Sequence, residues 1–251
     1  MELNKITRFL DKELRIRKIK DASKNGLQVK CGSQVKKVGF AVDACLSTFE
    51  KAKKENVDLL IVHHGIKWKP QKYKDLTNQR ESYLKKNNIS LYAAHLPLDC
   101  HNKYGNNIGL AKILNLKDIR KFGIYHGSKI GYSGKFQKPV TLSYIASILN
   151  KELKTKCIYL SYKNKIKTIG IVSGGGADVS EDAIKNRLDC FLVGEMDHGD
   201  YCRITDCKLS TIIAGHYHTE IVGVKLLMPL IKQKFGVETV FLDNPPKFKK
   251  V

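Results

Sequence analysis

The chain has 251 residues, 42% of them hydrophobic, and its 45 lysines and arginines against 24 acidic residues give a formal net charge of +21 at pH 7. That length suits one large domain or two modest ones, each with its own core, and no run approaches the ~18 apolar residues a membrane span needs. The opening MELNKITRFLDKEL has no secretory h-region, and seven cysteines without a CxxC pair suit a reducing compartment, so a soluble, cytoplasmic protein is expected.

The elements follow from periodicity. Residues 3–18 repeat apolar positions at helical spacing, and DASKNGLQV (21–29) reads as a polar turn region punctuated by Asn25-Gly26. VKKVGFAV (35–42) is a strand ending in Asp43, and residues 47–56 are a helix with Ser47 as its N-cap. LLIV (59–62) is a buried strand that runs into His63-His64 and a turn at Gly65. A helix over 75–87, the strand ISLYAA (89–94) ending in His95, a loop carrying Asp99 and a helix over 105–114 complete the first half.

The second half restarts the pattern. Residues 117–139 hold short strands, followed by a helix over 141–152 and strands near 157–162 and 166–172. SGGGA then leads to a helix near 179–187, the strand CFLV (190–193), a short helix near 198–204, the strand STIIA (210–214), a helix over most of 219–234 and the closing strand ETVFL (238–242). Alternating strands and helices predict an α/β fold of two lobes, with helices around mainly parallel sheets. The lobes are expected as residues 1–118, carrying His63, His64 and Asp99, and 119–251, carrying His216 and Glu220, with intertwining left open.

The charge points to no particular partner. Only 7 of the 45 basic residues are arginine, lysine is spread along the whole chain, and the densest block is KFKK at 247–250. A solvated lysine surface is preferred over a dedicated nucleic-acid face, because net charge speaks to solubility and loose attraction.

The residues after the strands carry the chemistry: Asp43, His63-His64, His95 with Asp99, Ser173-Gly174-Gly175-Gly176, Gly194-Glu195 and Gly215-His216. Open α/β sheets bind ligands at the carboxyl ends of their strands. Histidines with carboxylates suit zinc, manganese, iron or cobalt better than calcium or magnesium. Three histidines and two carboxylates exceed one tetrahedral site and suit two cations. In GHYHTE (215–220), a helix starting near His218 puts Glu220 in its first turn, where its two oxygens can bridge two cations, while His218 has the wrong offset to join. Glu195 and His198, in GEMDH, stand where they could touch substrate or move a proton, with capping as the alternative. The glycine run reads as a tight turn in preference to a phosphate cradle. Asp43 reads as a strand terminator, and Trp68 and Tyr73 as packing or pocket wall.

NGLQV, VHH, AAHLPLD, GGG, GE and GHYHTE, in this order over essentially the full length, resemble the Nif-three-like family, whose members are also called GTP cyclohydrolase I type-two homologues. The resemblance implies a dinuclear metal site in the cleft between two lobes, and toroidal homohexamers. It gives His63 and Asp99 to one cation, His64 and His216 to the other, and Glu220 to both. His95 would orient a ligand or touch substrate. Leu96-Pro97-Leu98 stands where the family often has Thr-Asn before the aspartate, and the short linker between halves leaves no room for the inserted domain of longer members.

The expected function is that of a dinuclear metal-binding protein, a metal-dependent hydrolase acting on a nucleotide-like or phosphoester substrate. His95, Glu195 and His198 are the candidates for proton transfer or substrate contact. The alternative is a non-catalytic regulatory or metallocofactor-assembly protein, with nucleic acid a less favoured partner than an anionic small molecule, and no membrane involved.

Overall fold

A computed structural model describes residues 1–247; of the basic run at 247–250, all but Lys247 lies outside the described residues. In chain order the elements are α1 (Leu3–Glu13), β1 (Gly26–Val29), β2 (Lys37–Asp43), α2 (Leu46–Lys54), β3 (Leu59–His64), α3 (Lys74–Lys86), β4 (Ser90–Ala93), α4 (Leu96–Asp99) and α5 (Asn106–Ile113). There follow β5 (Lys117–Tyr125), β6 (Ser128–Val140), α6 (Leu142–Leu153), β7 (Ile158–Leu160), β8 (Ile166–Val172), a 3-10 turn (Gly176–Val179) and α7 (Ser180–Lys185). The last are β9 (Cys190–Val193), α8 (His198–Asp206), β10 (Ser210–Ile213), α9 (His216–Phe235) and β11 (Glu238–Phe241). No helix among the described residues is long and apolar enough to cross a membrane.

The chain forms two compact units. The first comprises Met1–Leu98 and the residues from Val224 onward; the second is Asp99–Gly223. This differs from a single division at 118, because β11 returns to pair in parallel with β2. The last strand of the chain therefore completes the first sheet, and local sequence carries no sign of that return.

The first sheet has the order β1-β4-β3-β2-β11. Only β1 runs antiparallel, against β4; the other pairings are parallel. Central β3 is covered on both faces, which is why it reads as an unbroken apolar run. Phe40, Phe49, Leu59, Leu60, Ile61, Leu84, Ile89 and Tyr92 are fully buried. Helix α1 turns Leu3, Ile6 and Leu10 to the interior at the three- and four-residue spacing of one helical face.

The second sheet has the order β5-β6-β8-β9-β10-β7. Strands β8, β9 and β10 are parallel, whereas β5, β6 and β7 join antiparallel, so this sheet is mixed and not mainly parallel. Residues expected as short strands form one long hairpin, β5 and β6.

Other local differences have clear causes. Residues 26–29, expected in a turn, form β1, because β4 offers them an edge to pair with. The N-cap of α2 is Cys45 rather than Ser47. Asp99 ends the short helix α4 instead of lying in a loop. Helix α9 begins at His216, two residues before the expected start.

One device recurs in both units. Asp58, just before β3, accepts the amides of Lys36 and Lys37 at 2.7 and 3.0 Å. Asp189, just before β9, accepts those of Lys167 and Thr168 at 3.0 and 2.9 Å, the Thr168 hydroxyl at 3.0 Å and the Lys163 ammonium at 2.6 Å. In each case a carboxylate satisfies amides at the amino end of the neighbouring parallel strand.

Burial alone would raise the Asp189 carboxyl, but its hydrogen bonds to Lys163, Thr168 and Lys167 more than reverse this and hold it below its ordinary value. A lowered folded value means the contribution is present above the unfolded carboxylate range and is lost as pH falls through the folded value. Asp189→Ala is expected to cost about 2 kcal/mol in urea unfolding at pH 7. The gap from wild type should hold constant from about pH 5 to 8 and narrow below about pH 4.

Candidate functional site

In the first unit, His63 and His64 end β3 and His95 follows β4. The strand does not stop before the histidines; β3 runs through both, and His64 stands in register with Asp43 of β2. Neighbouring strand residues ordinarily face opposite ways, yet here the ring centroids are 4.6 Å apart. His95 lies 5.0 Å from His63 and 5.5 Å from His64. One nitrogen from each of the three falls within 4.8 Å of the others, so this group could hold a metal ion.

What brings the rings together is a tether at Nδ1. His63 Nδ1 lies 2.9 Å from the Ala94 carbonyl oxygen, His64 Nδ1 2.8 Å from Asp43 Oδ1, and His95 Nδ1 2.9 Å from Asp21 Oδ1. A carbonyl or carboxylate oxygen only accepts, so each Nδ1 carries the proton and each Nε2 the lone pair that a cation would use. His63 is fully buried.

The Asp21 carboxylate is itself held firmly. It accepts from the amides of Ser23 at 2.9 Å and Leu96 at 3.1 Å, and from Asn25 Nδ2 at 2.8 Å. Burial pushes this carboxyl up, but the His95 hydrogen bond and charge, with the Asn25 and Ser23 donors, bring the net shift below its ordinary value. Asn25 Oδ1 also accepts the His95 amide at 2.8 Å. Gln28 Oε1 accepts the amides of Ile66 and Lys67 at 2.7 and 3.2 Å. A side chain at Gly65 would collide with that glutamine amide, which is why the strand must exit through a glycine. The NGLQV segment is thus a brace behind the histidines, and Trp68 lies edge-on to His95 at 5.1 Å, forming a wall as expected. Tyr73 is 71% exposed and forms none.

In the second unit, Asp99 and Glu220 are 5% and 3% exposed, and an oxygen of one lies within 4.8 Å of an oxygen of the other. Asp99 Oδ1 accepts from Asn106 Nδ2 at 2.8 Å and from Ser173 Oγ at 2.9 Å. Because α9 begins at His216, Glu220 lies one helical turn on, and its Oε2 is 3.2 Å from His216 Nε2. Glu195, after β9, meets His216 Nδ1 at 2.9 Å. Burial disfavours protonating His216, but the Glu220 and Glu195 carboxylates outweigh it and raise the imidazole to about 9.

Gly174, at φ +62°, is where the turn after β8 passes these groups, and a Cβ there would strike the Glu220 carboxylate. The glycine run is the tight turn expected, leading into the 3-10 turn. It also gives the turn its close approach to Glu220.

Two further histidines remain: His198, a candidate for proton transfer or substrate contact, and His218, whose offset already set it aside. His198 is the first residue of α8, 6.2 Å from Tyr201 in a stacked arrangement, and His218 packs edge-on to Tyr217. Neither belongs to a metal-donor group among the described residues. Conversely, Asp21 and Asn106 carry no signal in the sequence, and Asp43 and Ser173 register there only as the residues that follow strands. Each is a common turn or cap residue type whose partner is distant in the chain.

Two closely placed buried carboxylates are costly unless a cation or a proton neutralises them. Imidazoles with preset tautomers and paired carboxylates therefore fit a divalent cation of the zinc, manganese, iron or cobalt kind.

Residues 1–247 match the sequence family Duf34/NIF3 (NGG1p interacting factor 3). A protein of Pyrococcus horikoshii named "GTP cyclohydrolase 1 type 2 homolog" is 47% identical over 98% of this chain and 99% of its own. A protein of the same name from Archaeoglobus fulgidus is 38% identical over 98% of this chain and 99% of its own. A crystal structure from Thermus thermophilus superposes with a TM-score of 0.87 at 38% identity, covering 99% of this chain and 100% of that one. The structure of reduced HcgD from Methanocaldococcus jannaschii does so with 0.84 at 26% identity, covering 97% and 98%.

Asp21→Ala is expected to cost about 2–3 kcal/mol in chemical unfolding, since it leaves buried donors without their charged acceptor. Gly174→Ala should cost about 1–3 kcal/mol from its left-handed backbone alone. Paired unfolding curves of wild type and each variant check both values.

Proposed function

The chain belongs to the Duf34/NIF3 family, and from that premise we propose that it is a metal-dependent hydrolase holding two divalent cations through His63, His64, Asp99, His216 and Glu220. The observation that carries this reading is the pair of buried carboxylates, Asp99 and Glu220, which calls for positive charge. His63 and His64, with Nδ1 already committed, supply neutral nitrogen donors of the matching kind, and a cation at His216 would displace the proton that its two carboxylates favour there. Such cations, when bound, lower the pKa of water toward neutrality and polarise an electrophilic carbon or phosphorus centre.

The residues around the donors then take separate duties. Glu195 holds the proton at His216 Nδ1 and so orients that ring from behind. His95, with its Nδ1 proton given to Asp21, takes up and returns a proton at Nε2. Ser173 and Asn106 fix one Asp99 oxygen, which leaves that carboxylate's orientation set before any ligand arrives. A nucleotide-like or phosphoester substrate agrees with the name carried by the relatives.

Elemental analysis of protein reconstituted with zinc or manganese tests the reading. Wild type should retain about two cations per chain, and His64→Ala and Glu220→Ala about one or fewer, with unchanged circular dichroism. Metal-dependent release of product from a panel of nucleotides and phosphoesters should vanish in both variants and after chelation. Retention of the full metal complement by both variants would sink the ligand assignment.

A further inference from the structure

Beside His64, within the first unit, lies an open pocket of about 630 Å³, a volume within the usual range for a small-molecule site. Its lining includes Arg80 from α3, Lys247, Asp43, Trp68 and the proline pair 245–246. Two cationic side chains thus face one carboxylate, and that carboxylate is engaged with His64.

Arg80 is the unusual member. Its Nε is buried and has no hydrogen-bond partner among the described residues, and no carboxylate there pairs with its guanidinium. It sits one turn before fully buried Leu84 on α3, so the helix that packs on the sheet also holds the arginine inward. A buried donor left without a partner calls for an explanation, and a guanidinium is the side chain best shaped to bind a phosphate or carboxylate through two parallel hydrogen bonds.

The remaining walls are built before any ligand arrives. Trp68 Nε1 donates to the Gly65 carbonyl at 2.8 Å, which fixes the indole. Past β11, Asn244 Nδ2 donates to Ser47 Oγ at 2.9 Å and Thr48 Oγ1 at 3.1 Å, while the Lys51 ammonium donates to Asn244 Oδ1 at 3.0 Å. The segment bearing Pro245 and Pro246 is thereby pinned onto α2. Flat apolar walls stand beside an unpaired cation, a combination suited to a ligand with a ring at one end and an anion at the other.

We propose that this pocket is the substrate subsite, taking a small organic anion with a planar ring, of the nucleoside monophosphate class, with its anionic group on Arg80 and its ring against Trp68. The proposal rests on the hydrolase reading only for the word substrate; the binding itself draws on no metal. It makes Arg80 a specificity-determining residue.

Trp68 is the single tryptophan in the chain, so its fluorescence reports on the pocket directly. Chelated wild-type protein is titrated with guanosine monophosphate and, separately, with inorganic phosphate, alongside Arg80→Gln, Arg80→Lys and Lys247→Gln. Saturable quenching by the nucleotide is expected, weakened about tenfold or more in Arg80→Gln, less in Arg80→Lys, and about threefold in exposed Lys247→Gln. Phosphate alone should bind more weakly than the nucleotide. No saturable response up to millimolar nucleotide, equal binding by folded Arg80→Gln, or phosphate binding as tightly as nucleotide would each overturn the assignment. If Arg80→Gln does not fold, unchanged binding by Lys247→Gln overturns it instead. Metal content of the same samples before chelation reports separately on the cation reading, so failure of one is not mistaken for failure of the other.

Discussion

A hydrogen bond at Nδ1 fixes His63, His64, His95 and His216, in each case to an oxygen 2.8–2.9 Å away. An unanchored imidazole exchanges its proton between two nitrogens and rotates about two bonds. Anchoring Nδ1 removes both freedoms and presents Nε2 in a defined direction. The rest of each site is arranged to keep these acceptors in place. Asp21 is held by two amides and an amide side chain, Asp43 by the register that sets it opposite His64, and the Ala94 carbonyl by its position just past the end of β4.

Apart from Asp21, which lies in the segment before β1, these acceptors come from the ends of parallel strands, and that follows from how such strands pair. At the carboxyl edge the chain turns away, and side chains and backbone groups that no longer have a ladder partner become available. Asp43 and the His63–His64 pair end β2 and β3, and His95 follows β4. In the second unit Ser173, Glu195 and His216 follow β8, β9 and β10. The opposite edge is tidied by Asp58 in one unit and Asp189 in the other. Each sheet thus closes its amino edge with a carboxylate cap and reserves its carboxyl edge for chemistry.

Charge is placed differently on the surface and inside. The excess of lysine is largely solvated, whereas the groups that matter are few and withdrawn from water: the buried Asp99 and Glu220 with their oxygens close together, and the buried Nε of half-buried Arg80, without a hydrogen-bond partner among the described residues. Burial raises the energetic weight of each of these groups far above that of a surface lysine. Net charge is therefore a poor guide to what this protein recognises, and individual desolvated groups are a better one.

The amino-acid sequence alone determined most of the elements, because helical and strand periodicities repeat within about ten residues. It also determined which polar residues stand just past each strand, since that depends only on where an apolar run stops; hence the histidines were legible, as were Asp99 and Glu220 through their motifs. Tertiary structure alone decided what holds those residues. The acceptors for His64, His63 and His95 lie 21, 31 and 74 positions away, and nothing in a local window distinguishes Asp21 from any other turn aspartate. The same limit explains β1, which exists only because β4 gives it an edge, the return of β11 to the first sheet, and the pocket around Arg80, assembled from α3, the turn after β3 and the segment past β11. Short-range patterning fixes conformation through backbone sterics and burial, whereas a side chain's partner is fixed by packing across the whole fold.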